Sequence, residues 1–156
     1  MSLTEQIAKQ LRDVHFGGNW VASSLKEHLA DVTWEKATTS VYSLNSIAKL
    51  VFHMNYYLNA VLGMLETNEL NAKHKYSLDV TPVESEEDWQ QMLDKTWSDA
   101  ERLAKLVGEM PEARLWETFF DEKYGSYYRN IHGVIEHCHY HLGQIVLIKK
   151  VLTGAR

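Results

Sequence analysis

Cysteine is all but absent: Cys138 stands alone among 156 residues, so no internal disulfide can form and packing must hold the fold. Proline is nearly as scarce, at Pro82 and Pro111 only, which leaves long stretches free of the residue that breaks a helical hydrogen-bond ladder. No run of about 20 uninterrupted apolar residues occurs, so no segment is expected to span a bilayer, and no N-terminal apolar run resembles a signal peptide. Clustered cations are missing too. The 16 lysines and arginines are scattered among 21 acidic residues, for a net charge of −5. Affinity for a phosphate backbone is built from grouped cations that release counterions, so nucleic acid is not an expected partner. These absences lead to the expectation of a soluble cytoplasmic protein with no membrane or nucleic-acid partner, and a lone thiol suits a reducing compartment.

What the chain does have is helical pattern. At 45% hydrophobic content it is long enough for one compact domain over residues 1–156 and short for two. Leu, Ala, Glu, Lys and Met fill the periodic stretches, which favours an all-α fold. A first helix is expected from about Leu3 to about Ala30, capped by Ser2 or Thr4, with Gly17-Gly18 inside it as a kink, a close packing point or room beside a bound group. A second runs from Ser43 or Asn45 to about Glu66, with Leu50, Met54, Leu58 and Val61 on its apolar stripe. Ser85-Glu86-Glu87-Asp88 resembles a capping box opening a third helix, which Gly108 and Pro111 end. The last extends from about Tyr128 to about Leu152, with Lys149, Lys150 and Arg156 suited to the dipole at its C-terminal end. The connection from about Thr67 to Glu84 is longer than bundle turns usually are, which permits the second and third helices to be parallel. The connection before the last helix is dense in aromatics, Trp116, Phe119, Phe120 and Tyr124 among them, and is expected to pack down as a lid or a floor.

His137 and His141 are the most informative residues. A four-residue step on a helix advances about 6 Å and turns the side chain by about 40°, so both imidazoles project to one side, with Gln144 on the same ridge. Two imidazoles so spaced form a helical chelate for zinc, nickel or a related divalent ion, which needs at least one more ligand. His53 is the best third candidate, because it flanks the apolar stripe of the second helix. Three neutral ligands would leave the ion its full charge and an open position for water or substrate. The plainer alternative is a set of hydrogen-bonded core histidines, since H-x-x-x-H also arises by chance. His15, His28 and His74 look like surface or loop residues. Glu136 and His139 match the E-x-x-H of di-iron bundles, but no other glutamate has a histidine three residues on, and such a site needs two pairs. Cys138 falls on the apolar stripe of the last helix, where a thiol is normally inert core.

The segment Ser46-Ile47-Ala48-Lys49-Leu50-Val51-Phe52-His53, the ending His137-x-x-x-His141-x-Gly143-Gln144, the order of the helices and the long second connection together resemble the DinB-like superfamily of metal-binding four-helix proteins. The likeness covers nearly the whole chain, and H-x-x-x-H-x-G-Q is its most specific part. The resemblance implies a four-helix bundle of up-down-down-up topology, a zinc or nickel site on His53, His137 and His141, a structural or supporting role for Gln144, and a homodimer. It also implies a metal-dependent enzyme acting on a small molecule. Characterised relatives include S-transferases that use bacillithiol or mycothiol and a mycothiol-dependent maleylpyruvate isomerase. A low-molecular-weight thiol is therefore an implied cofactor, with water activation for hydrolysis as the other chemistry. Arg129, Lys123 and Lys49 are the candidate partners for its carboxylates, though each also reads as solvated surface charge. The alternative is a non-catalytic dimeric bundle whose metal is structural or whose site is vestigial.

Overall fold

Each long helix begins where a serine hydroxyl accepts an amide hydrogen that the helix itself leaves unpaired. Ser2 accepts from Glu5, Ser46 from Lys49, Ser85 from Asp88 and Ser126 from Arg129; each such cap stabilises its helix by about 1 kcal/mol. At Ser2 the carboxylate of Glu5 returns a bond to the cap's own amide, completing a capping box. At Ser85 the box is half formed, because Asp88 accepts from the amide of Glu84 instead.

In the computed structural model, which describes residues 1–154, six α-helices follow in order: α1 Leu3–Phe16, α2 Leu25–Leu29, α3 Trp34–Thr38, α4 Ile47–Thr67, α5 Glu86–Glu109 and α6 Tyr127–Thr153. Arg156 lies outside the described residues. Among them there is no β-strand, only an isolated antiparallel bridge between Thr118 and Ser126. Among the described residues, no helix is long and apolar enough to cross a membrane. The four long helices contact one another in a ring, α1 and α4 each packing on both α5 and α6. The core fills its centre, with Val14, Ile47, Val51, Leu103, Ile131 and Ile145 wholly buried. Burying one such side chain contributes about 1.5–3 kcal/mol, several times what helix propensity contributes per residue, so the apolar stripes hold this ring together.

Three expectations need correcting. The helix expected over Leu3 to Ala30 is two helices. Gly17 and Gly18 have φ of 108° and 96°, which a residue with a Cβ rarely adopts, and the amide of Gly17 closes α1 on the carbonyl of Asp13. The double glycine is thus a stop, followed by a loop that ends at the Ser24 cap of α2. His15 is not a surface residue: it is 1% exposed. It continues the row Ile7, Leu11 at four-residue steps, and its Nδ1 donates to the carbonyl of Leu11 at 2.7 Å, which lets the ring enter the core without an unpaired donor. Gly108 does not end α5, which continues to Glu109; a Cβ there would lie 3.3 Å from that of Ala8, so the glycine lets α1 and α5 approach closely. His74 is exposed on a turn, as expected, whereas His28 is half-buried on α2.

Candidate metal centre

His53 lies on the second turn of α4, and His137 and His141 lie one turn apart on α6. Packing of α4 against α6 brings the three rings together, with centroids 4.8 Å apart for His53 and His137, 5.0 Å for His53 and His141, and 4.5 Å for His137 and His141. One nitrogen from each falls within 4.8 Å of the others, and among the described residues the group contains these three side chains. The sequence-predicted ligand set is therefore brought to one place.

The hydrogen bonds around the rings decide which nitrogens are available. Nδ1 of His53 lies 3.1 Å from the carbonyl of Ser77, which can only accept, so that nitrogen carries the hydrogen and Nε2 keeps its lone pair. Nδ1 of His141 donates to Oε1 of Gln144 at 2.6 Å, with the same consequence. The Nε2 atoms of His137 and His141 then face each other at 2.9 Å. In a tetrahedral site with bonds of about 2.0–2.1 Å, ligand nitrogens stand about 3.4 Å apart, so a small side-chain movement opens the pair to metal-binding distance. Oxygen acceptors on the outer nitrogens are the usual support for histidine ligands, because they fix tautomer and ring orientation. Donor type and geometry both fit a divalent ion that accepts imidazoles.

Electrostatics favour neutral rings. Burial first, then the neighbouring His141 and His53, pushes the pKa of His137 down to about 4. Burial also lowers that of His141; its bond to Gln144 opposes this, and His53 adds to the lowering. Neutral imidazole is the form a metal requires.

Tyr57, one turn beyond His53, sets its ring edge-on to His53 at 5.2 Å and to His137 at 5.3 Å. Its hydroxyl bonds Nδ1 of His74, 2.5 Å away on the 74–76 turn of the long connection. These residues, with His53 and His137, line a cavity of about 550 Å³ whose walls include Ala60, Val61, Leu70, Phe119 and Val134.

Comparisons with family models, curated proteins and solved structures found no match to this chain. The site is read from its own geometry.

The other candidates separate from this centre. Glu136 is exposed and lies 3.5 Å from His132, while His139 faces a different groove with Asp13 and Trp20. Cys138 is wholly buried, and burial pushes its thiol up to about 12, so it is core. Of the aromatic connection, Phe119 and Tyr124 reach the cavity, whereas Trp116 stacks on Tyr128 with 63% of its surface exposed. Arg129 donates to the carbonyl of Tyr124, and Lys123 lies over the Tyr124 ring. Sequence reasoning missed Ser77, His74 and Asn130. A backbone carbonyl such as that of Ser77 has no sequence signature, but Asn130 lies seven residues before His137 on the same helical ridge and was findable by spacing.

Proposed function

We propose that the protein is a divalent-metal-dependent enzyme of the DinB-like type, acting on a small molecule at His53, His137 and His141. The observation that carries this reading is the convergence of three imidazoles, two with their outer nitrogens already committed to oxygen acceptors, beside a largely apolar cavity that His53 and His137 line. A structural ion would call for a fourth protein ligand, and among the described residues the cluster offers three, as an open catalytic site does. Zinc or nickel suits an all-imidazole donor set. When bound, such an ion supplies Lewis acidity that lowers the pKa of a water molecule or of a small thiol.

The chain's own groups do the rest. Ser77 and Gln144 aim the ligand lone pairs, and Tyr57 braces the planes of two rings. Thiol transfer and hydrolysis are the two chemistries this arrangement serves. In the first, an external thiol is the nucleophile, which agrees with the buried position of Cys138.

The up-down-down-up course belongs to the same reading, and cross-helix pairs support it. Arg12 meets Glu101 and Phe16 meets Trp97, so numbering runs oppositely in α1 and α5. Asn55 meets Asp99 and Glu66 meets Arg102, so it rises together in α4 and α5. A homodimer completes the proposal: Tyr140, Leu147 and Val151 leave an apolar stripe on the outer side of α6 for a second copy to cover, and light scattering at micromolar concentration tests it.

The test of the metal reading is elemental mass spectrometry on untagged protein purified without chelator, beside His137→Ala. About one ion per chain, lost in the variant, is expected. Protein that neither carries a divalent ion nor takes one up on titration would defeat the reading.

A further inference from the structure

The cavity beside the histidines constrains what can occupy it, an inference that rests on the metal reading above. We propose that the site takes a small molecule with one metal-directed donor atom and an uncharged, largely apolar body about 10 Å long, ending in an N–H or O–H group that Asn130 accepts.

Charge is the first argument. Among the described residues, no lysine, arginine, aspartate or glutamate lines the cavity. Four cations neighbour its wall residues in sequence, and none of them lines it: Arg129 donates to the Tyr124 carbonyl at 3.1 Å, Lys123 lies over the Tyr124 ring at 4.9 Å, Lys75 lies over the Tyr76 ring at 4.6 Å, and Lys73 is exposed. An anionic group can be balanced at the histidine end, where the ion would sit. A second charge farther along would lose its water against Val61, Leu70 and Phe119 with no counter-charge to meet it.

Asn130 supplies the second argument. Its Nδ2 donates to the carbonyls of Tyr124 at 2.9 Å and Ser126 at 2.8 Å. Both partners can only accept, so the amide cannot be turned round, and Oδ1 is left as an acceptor with no partner among the described residues. An acceptor at that position welcomes a donor and repels a carboxylate.

Spacing gives the length. Asn130 and His137 lie on one ridge of α6, seven residues and about 10 Å of helix rise apart. Between them Gly133 leaves the floor bare: a Cβ built there meets nothing within 4 Å. A side chain at this position would enter the cavity without disturbing the helix.

The experiment uses cobalt(II)-loaded protein, in which thiolate binding to the ion gives a charge-transfer absorption. Two ω-thiols of equal length, mercaptohexanamide and mercaptohexanoate, differ at the far end alone, which is a neutral N–H donor in the first and an anionic acceptor in the second. The amide is expected to bind about tenfold tighter than the carboxylate. Asn130→Leu, which removes the acceptor but keeps the apolar walls, should reduce that preference without abolishing it, and Gly133→Leu should weaken both thiols by about tenfold or more while cobalt content stays the same. Equal or tighter binding of the carboxylate overturns the inference, as does unchanged thiol affinity in Gly133→Leu with cobalt bound. Failure of the wild-type protein to take up cobalt overturns the metal reading and this inference with it, whereas cobalt uptake without amide preference overturns this inference alone.

Discussion

His15 makes folding stability depend on acidity. Its ring is 1% exposed, and burial above all, with the bond to Leu11 and the charge of Glu101 opposing it and nearby His139 adding to it, pushes its pKa from 6.5 down to about 4. In the unfolded chain the ring titrates near its ordinary value, so between those two values the unfolded state holds more protons than the folded one. Stability from this residue is therefore fully present above pH 6.5 and is lost as pH falls toward 4. The shift corresponds to about 3 kcal/mol at full extent, of which about 2 kcal/mol has gone by pH 5. That is a sizeable part of a domain's usual 5–15 kcal/mol (about 0.1 kcal/mol per residue). The perturbation is His15→Gln, which removes the titration, and the assay is urea unfolding from pH 7 to pH 4 with chelator present, so that metal binding does not enter. Any constant offset from the substitution cancels, because the quantity compared is the slope of stability against pH. The wild type should lose about 2 kcal/mol more than the variant between pH 7 and pH 5. Parallel curves would mean that His15 is not held neutral in the core.

Removing the Gln144 amide by Gln144→Ala frees the His141 tautomer, and zinc affinity measured against a competing chelator should fall roughly 10- to 100-fold; an unchanged constant would show the bond to be idle. Lowered pKa values at His137 and His141 keep those rings neutral into mild acid, so zinc affinity should hold as pH falls from 8 through the ordinary imidazole value of about 6.5 and decline only in more acid solution, and a decline beginning above pH 7 would contradict the direction of the shifts. Trp89→Phe deletes the bond from Nε1 to the buried carbonyl of Val32 and should destabilise the protein by about 1–3 kcal/mol in urea titration, an unchanged midpoint counting against the bond's contribution. Gly17→Ala places a Cβ on a backbone with φ of 108° and should lower stability by about 1 kcal/mol or more, with an unaltered unfolding midpoint counting against the strain.

The long helices were legible because each repeats apolar residues at the helical period for several turns and opens on a serine. The break after Phe16 was hidden by the same pattern. Val21, Leu25 and Leu29 keep phase with Leu11 and Val14 across the glycines, yet Val21 is exposed at 54% and the two leucines pack from a separate helix. The burial of His15 depends on the carbonyl of Leu11 and on Cys138, 123 residues away, and no local pattern announces such a neighbour. At the metal centre, the i, i+4 pair on α6 was plain from spacing alone. His53 could be chosen only as the histidine on the inner side of another helix, and the polar groups around it come from a connection with no periodicity to read.

That connection explains how the ring of His53 is aimed. Inside a helix every carbonyl is already bonded to the amide four residues on, so a helical histidine must find the acceptor for its outer nitrogen elsewhere. α6 meets this need with a side chain, Gln144, one turn past His141. α4 meets it with backbone from outside itself, the carbonyl of Ser77. Two neighbouring tyrosines hold that backbone in place: the Tyr56 hydroxyl bonds both the amide and the carbonyl of Lys73, and the Tyr57 hydroxyl bonds His74. The same residues bring Leu70, Ala72 and His74 to the cavity wall. A parallel course of α4 and α5 requires a long connection but not this latch. The latch instead fixes the acceptor of His53, and so would tie the orientation of a proposed metal ligand to the wall that a substrate would touch.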